Sequence, residues 1–156
     1  MLTDQEFTAA AERYMDMSYR IAVNYLGRCA DAEDAVQNTM LRLCRTDTAF
    51  DGEEHLRHWI IHVTLNECRR LAISFWRTRT LPLDEGPEPA FSQPERQELY
   101  DAVMSLPRKY RLPLYLYYYE DYSVAEIADV MGLKPSTVQT RLSRAREKLK
   151  AMLTEE

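Results

Sequence analysis

Apolar residues recur at helical spacing through most of the 156 positions of this chain. Between residues 4 and 26 the stripe is Phe7, Ala11, Tyr14, Ser18/Ile21, Ala22 and Tyr25, and Gly27 supplies a C-terminal stop. Asp31 reads as the cap of a second helix, DAEDAVQNTMLRLCR, with Ala32, Val36, Met40 and Leu43 facing inward. Residues 46–54 (TDTAFDGEE) lose the helical period and read as a loop. A third helix starts near Glu54. Leu56, Trp59, Ile60 and Val63 form one stripe, and Ile61, Leu65, Cys68 and Ala72 a second. A helix apolar on two sides is buried on two sides, as in a compact bundle.

The period then lapses. Residues 80–93 (TLPLDEGPEPAFSQ) hold three prolines, one glycine and three acids, which marks a linker and a domain boundary. Ser92, Pro94 and Glu95 form a capping box with proline just inside a fourth helix, which ends at Leu106 and Pro107. A fifth helix runs to about Tyr119. Pro113 falls inside it and predicts a kink or a late start. Ser123 and Glu126 then form another S-x-x-E box at the head of a short helix whose inward residues are Val124, Ile127, Ala128 and Met131. Gly132 stands where the turn needs a positive φ, Leu133 plugs the corner, and Pro135 opens the last helix. The fold class is therefore all-α: two small helical domains, residues 1–79 and 94–156, joined by the linker, the second ending in a helix-turn-helix.

Composition adds little to this picture, but charge changes it. The net charge of −5 argues against a nucleic-acid partner until its distribution is read. Residues 132–153 carry six bases against one acid, and residues 67–79 carry four arginines against one acid. Six acids against one arginine fill residues 84–101 between them. Two basic segments are thus set apart by an acidic one. Cys29, Cys44 and Cys68 cannot all pair within one chain, and read as reduced thiols of a cytoplasmic protein. The start of the chain has no secretion-signal pattern, and no apolar run approaches about 18 residues, so membrane insertion is not expected.

The last helix divides its chemistry by face. Val138, Leu142 and Ala145 point toward the preceding short helix. Ser136, Thr137, Gln139, Thr140, Arg141, Ser143, Arg144 and Lys148 occupy the rest. Hydroxyls, an amide and arginines can bond base edges, and cations can meet phosphates, which is what a helix in the major groove requires. The plain alternative is a helical hairpin with a solvated basic face.

Both halves of the chain resemble the extracytoplasmic-function (ECF) sigma factors of the bacterial sigma-70 superfamily. The first half does so in DAEDAVQNTMLRLCR and HLRHWIIHVTLNECRRL, the second in LPRKYRLPLYLYYYEDYSVAEIADVMGLKPSTVQTRLSRAREKLK. The resemblance implies a factor that binds core RNA polymerase and directs it to promoter DNA. In its terms, Asp34, Gln37, Asn38 and Leu41 form the stripe that docks on the clamp coiled coil of the polymerase β′ subunit. As a bare pattern, that stripe is ordinary solvated surface. Asn66, Arg69, Arg70, Trp76, Arg77 and Arg79 would meet the downstream promoter element as single strand. Asn66 equally suits a core asparagine satisfied by a neighbouring backbone group. Trp59 belongs to an apolar stripe, and Trp76 is the better stacking candidate. In the terminal helix Gln139, Thr140, Ser143 and Arg144 would lie nearest the bases of the upstream element, with Arg141, Arg146 and Lys148 on phosphates. The polymerase β flap and an anti-sigma factor are further partners implied. Two departures stand out. Arg70 occupies a position where many family members have Asp, and LYLYYYED is unusually rich in tyrosine for the part that would touch the flap.

Other classes leave fainter marks. A regulator of the quorum-sensing type shares the E-I-A…T-V core but needs a ligand-binding or receiver domain, and residues 1–80 show no strand period. His55, His58 and His62 lie on one helix, and a His pair four apart can hold zinc. No H-E-x-x-H pattern accompanies them, and no phosphate loop or nucleophile-base set is present, so no cofactor, metal or enzymatic activity is expected. A helical bundle that binds only other proteins is the remaining alternative.

Overall fold

A computed structural model describes residues 1–27, 29–78 and 94–154. The linker read at 80–93 and the capping box at Ser92 lie outside these residues. Among them the fold is all-α: α1 (Asp4–Leu26), α2 (Cys29–Arg45), α3 (Glu53–Thr78), α4 (Pro94–Ser105), α5 (Arg108–Tyr118), α6 (Val124–Met131) and α7 (Pro135–Thr154). Contacts divide the chain into two compact units, Met1–Gly86 and Pro87–Glu156.

In the first unit α1, α2 and α3 pack pairwise against one another. α1 starts at a capping box that the sequence reading passed over: Thr3 Oγ1 accepts from the Glu6 N–H (3.1 Å), and Glu6 Oε1 accepts from the Thr3 N–H (2.9 Å). It stops at Gly27 in the left-handed conformation (φ 72°), as expected. The α1 stripe is turned from the one expected. Ala10, Met17 and Val23 are buried beside Tyr14, Ser18, Ile21 and Ala22, while Phe7, Ala11 and Tyr25 are only half-buried. Asp31 is not the cap of α2. The helix begins at Cys29, and Asp31 lies in its first turn, where a carboxylate still favours the positive end of the helix dipole.

α2 buries Ala32, Val36, Met40 and Leu43, and α3 buries Leu56, Ile60, Ile61, Leu65 and Cys68, all in the stripes read from the sequence. The buried hydroxyls are satisfied: Ser18 Oγ and Thr64 Oγ1 lie 2.8 Å apart, and Thr39 donates to the Ala35 carbonyl.

Glu53 fastens the head of α3 to α1. It accepts from the Tyr14 hydroxyl (2.6 Å) and pairs with Arg13 (2.7 Å). The Tyr14 bond first, and Arg13 second, hold the Glu53 carboxyl below its ordinary pKa. A carboxyl lowered in the folded state stabilises the fold above the ordinary carboxylate range, and that contribution disappears as pH falls through the lowered pKa. Stability measured by urea unfolding should therefore drop on acidification through that window, and Glu53→Gln should flatten the drop. An unchanged pH profile in the variant would remove Glu53 from this role.

In the second unit α7 packs on α4, α5 and α6. α5 runs through Pro113 from Arg108, so the late start is not what happens. The proline sits in the second turn, where it removes one bond, to the Lys109 carbonyl. Ser123 and Glu126 make both bonds of the capping box (3.1 and 2.9 Å). Ser123→Ala should cost about 0.5–2 kcal/mol of unfolding free energy. Gly132 ends α6 at φ 68°, and the Leu133 N–H returns to the Ala128 carbonyl at 2.9 Å. Val130, which the sequence reading did not place inward, is fully buried, whereas Val124 and Met131 are half-buried. Val138, Leu142 and Ala145 are buried as expected and fix which face of α7 is left outside.

Candidate nucleic-acid interface

The outward face of α7 follows from its buried one. With Val138, Leu142 and Ala145 inside, Ser136, Gln139, Thr140, Ser143 and Arg144 are exposed, and Thr137 and Arg141 are half-buried. Thr140 donates its hydroxyl proton to the Ser136 carbonyl (3.0 Å), so in this rotamer its oxygen can serve a further partner only as an acceptor.

Arg146 and Lys148 are exposed but lean on α5. The Arg146 Nε donates to the Tyr118 hydroxyl (2.6 Å), and its guanidinium lies 5.4 Å from the Tyr118 ring and 5.6 Å from that of Tyr117. The Lys148 ammonium is 5.5 Å from the Tyr110 ring, with Lys109 5.1 Å away. Burial pushes the Tyr110 phenol up. A hydrogen bond from Arg144 and the charges of Lys109, Arg144 and Lys148 outweigh it and leave the pKa lowered. The tyrosines of α5 therefore brace the basic side of α7, a use for LYLYYYED that the sequence reading did not find.

In the first unit Asp34, Gln37 and Leu41 are exposed along α2, and Asn38 is half-buried. Asn38 and Leu41 also line an open groove between α2 and α3, whose walls include Trp59 and Arg70. Trp59 is half-buried and meets the Phe50 ring edge-on at 5.5 Å. Phe50 comes from the loop before α3, which is tied back by the Asp51 N–H donating to His55 Nδ1 (2.9 Å). Asn66 is half-buried, and its Oδ1 accepts from the Arg69 guanidinium at 2.8 Å, so a side chain and not the backbone is its partner there. α3 continues to Thr78, but the side chains of Trp76 and Arg77, and Arg79 itself, lie outside the described residues.

Glu67 escaped the sequence reading. It is 3% exposed and pairs with Arg42 of α2 (2.6 Å) and Arg70 of α3 (3.1 Å). One signal was available: an acid at the stripe spacing of Ile60 and Thr64, with an arginine three positions on. Among the described residues no group of three or more His, Cys, Asp or Glu converges as a metal site, so His55, His58 and His62 are not brought together as one. Nor is any helix among them long and apolar enough to cross a membrane.

A three-helix unit and a unit ending in a helix-turn-helix with a polar, cationic outer face define a transcription-factor class of protein. Residues 10–80 match the family described as Sigma-70 region 2, and residues 96–149 match Sigma-70, region 4. The chain is 25% identical over 169 aligned residues to the ECF RNA polymerase sigma factor SigW of Bacillus subtilis, covering 96% of this chain and 90% of that one. It is 28% identical over 148 residues to the RNA polymerase sigma factor SigV of the same species, covering 88% and 85%. In fold it matches the sigma factor RpoE of Bartonella quintana, solved with the anti-sigma factor NepR. That match has a TM-score of 0.76 at 22% identity, over 96% of this chain and 97% of the other. The chain belongs to the sigma-70 family, in its extracytoplasmic-function group, and functions as an RNA polymerase sigma factor.

Proposed function

We propose a division of labour between the two units. Residues 94–156 read the upstream promoter element through α7. Gln139, Thr140, Ser143 and Arg144 face base edges, with Ser136 and Thr137 at the mouth of the helix. Arg141, Arg146 and Lys148 supply cation density for phosphates, the last two braced by α5. Residues 1–79 dock on the β′ clamp coiled coil through Asp34, Gln37, Asn38 and Leu41, and meet the downstream element through Asn66, Arg69, Arg70, Trp76, Arg77 and Arg79. Residues 80–93 join them.

The observation that carries this reading is the outer face of α7. Its reading groups all stand on the side left open by Val138, Leu142 and Ala145, after a turn fixed by Gly132. The β flap is the second polymerase contact, and an anti-sigma factor restrains the free protein in the cytoplasm. The similarity to a fold solved with such a partner supports that restraint. Catalysis stays with the polymerase, and the chain acts as a binding factor and not as an enzyme.

Footprinting tests the division. Mixed with core polymerase and a target promoter, the chain should protect two separate DNA segments, and core alone should protect neither. Removing residues 94–156 should erase the upstream footprint only. Loss of the downstream footprint instead would reverse the assignment.

A further inference from the structure

The groove between α2 and α3 is lined by Arg42, Arg45 and Arg70 against a single carboxylate, Glu67. The carboxylate is at the bottom and the cations are at the rim: the Glu67 side chain is 4% exposed, those of Arg42 and Arg70 52% and 63%. Burying a carboxylate is a poor way to stabilise a helix pair, since apolar packing of the same volume serves as well or better. What the triad does provide is orientation. Glu67 takes the Nε of Arg42 and the Nη1 of Arg70, so two largely exposed guanidiniums are tied to one buried carboxylate. Trp59 stands in the wall of the same groove. Two cations fixed on a rim by one carboxylate suit a single backbone phosphate.

We propose that Glu67 is a positioning residue that presents Arg42 and Arg70 as a two-cation clamp for one backbone phosphate of the melted downstream strand. The proposal rests on the reading of residues 1–79 as the downstream-element unit. It adds Arg42, from the helix otherwise assigned to polymerase docking, to the DNA-contacting set. It also gives Arg70 a partner: the carboxylate held by Glu67 lies three positions before it.

The test uses the full chain assembled with core polymerase and promoter templates carrying a single neutral methylphosphonate at successive downstream-element positions of the non-template strand. For the wild type, one position should weaken binding by about tenfold, the loss of a charge-assisted bond. Arg42→Ala, Arg70→Ala and Glu67→Gln should each bind the all-phosphate template less tightly, and should each lose less affinity at that one position than the wild type does. The two arginine variants alter half-exposed side chains, so they carry the test even where Glu67→Gln weakens the fold. A merely structural triad would lower affinity in the variants yet leave the full methylphosphonate penalty in place, which would overturn the proposal. A polymerase contact in the groove would lower core binding in the variants with the same intact penalty, and would also overturn it. If no position weakens the wild type, the underlying placement of the downstream element fails as well.

Discussion

Reversing the charge at Asp34 and trimming Gln37, as the double variant Asp34→Arg/Gln37→Ala, should weaken binding to core polymerase by about thirtyfold or more, the scale of an interface hot spot near 2 kcal/mol. Both side chains are exposed on α2, and the core stripe of that helix, Ala32, Val36, Met40 and Leu43, is untouched. Exposed substitutions of this kind change stability by about half a kcal/mol or less, so the variant should unfold at the wild-type midpoint. The isolated second unit, residues 94–156, should still bind upstream-element DNA. A double variant that bound core like the wild type would move polymerase docking off this stripe.

The second large effect belongs to α7. Gln139→Ala or Arg144→Ala should change which upstream sequence is preferred, by about 1–3 kcal/mol for a lost bidentate base contact. Arg141→Ala should weaken all sequences together and lower the salt slope by about one unit. The braced cations behave differently from a simple phosphate ligand. Arg146 is held by Tyr118 at 2.6 Å. Tyr118→Phe removes that hydrogen bond and leaves the charge, so it should loosen the helix pair slightly while changing the salt slope little. Binding of a panel of single-base variants at two salt concentrations separates these outcomes. An unchanged rank order in both Gln139→Ala and Arg144→Ala would show that this helix does not read bases as placed.

What was legible in the sequence was local. Gly27 and Gly132 end helices in left-handed geometry, and Ser123 with Glu126 starts one, because these rules act within a turn of chain. The buried faces of α2, α3 and α7 were legible for a related reason, since each packs along one line or two. The misreadings arose where tertiary packing decides. Asp31 has the composition of a cap, and only the register of the chain after Gly27 shows that α2 has already begun. The buried face of α1 takes in Ala10, Met17 and Val23, which the expected stripe left out. The Glu67–Arg42 and Arg146–Tyr118 pairs join residues 25 and 28 positions apart, so they depend on how helices cross and not on spacing along either one. The arginine-for-aspartate departure at position 70, puzzling as a lone letter, becomes intelligible once Glu67 is seen to supply the carboxylate for both Arg70 and Arg42.

Run-off transcription with purified core polymerase and genomic promoter fragments tests the central claim most directly. Adding this chain should yield discrete transcripts from a subset of fragments, each start lying at a fixed distance from a shared pair of sequence elements. The Asp34→Arg/Gln37→Ala variant should yield far less from all of them. Core polymerase that produced the same transcripts with and without the chain would contradict the account.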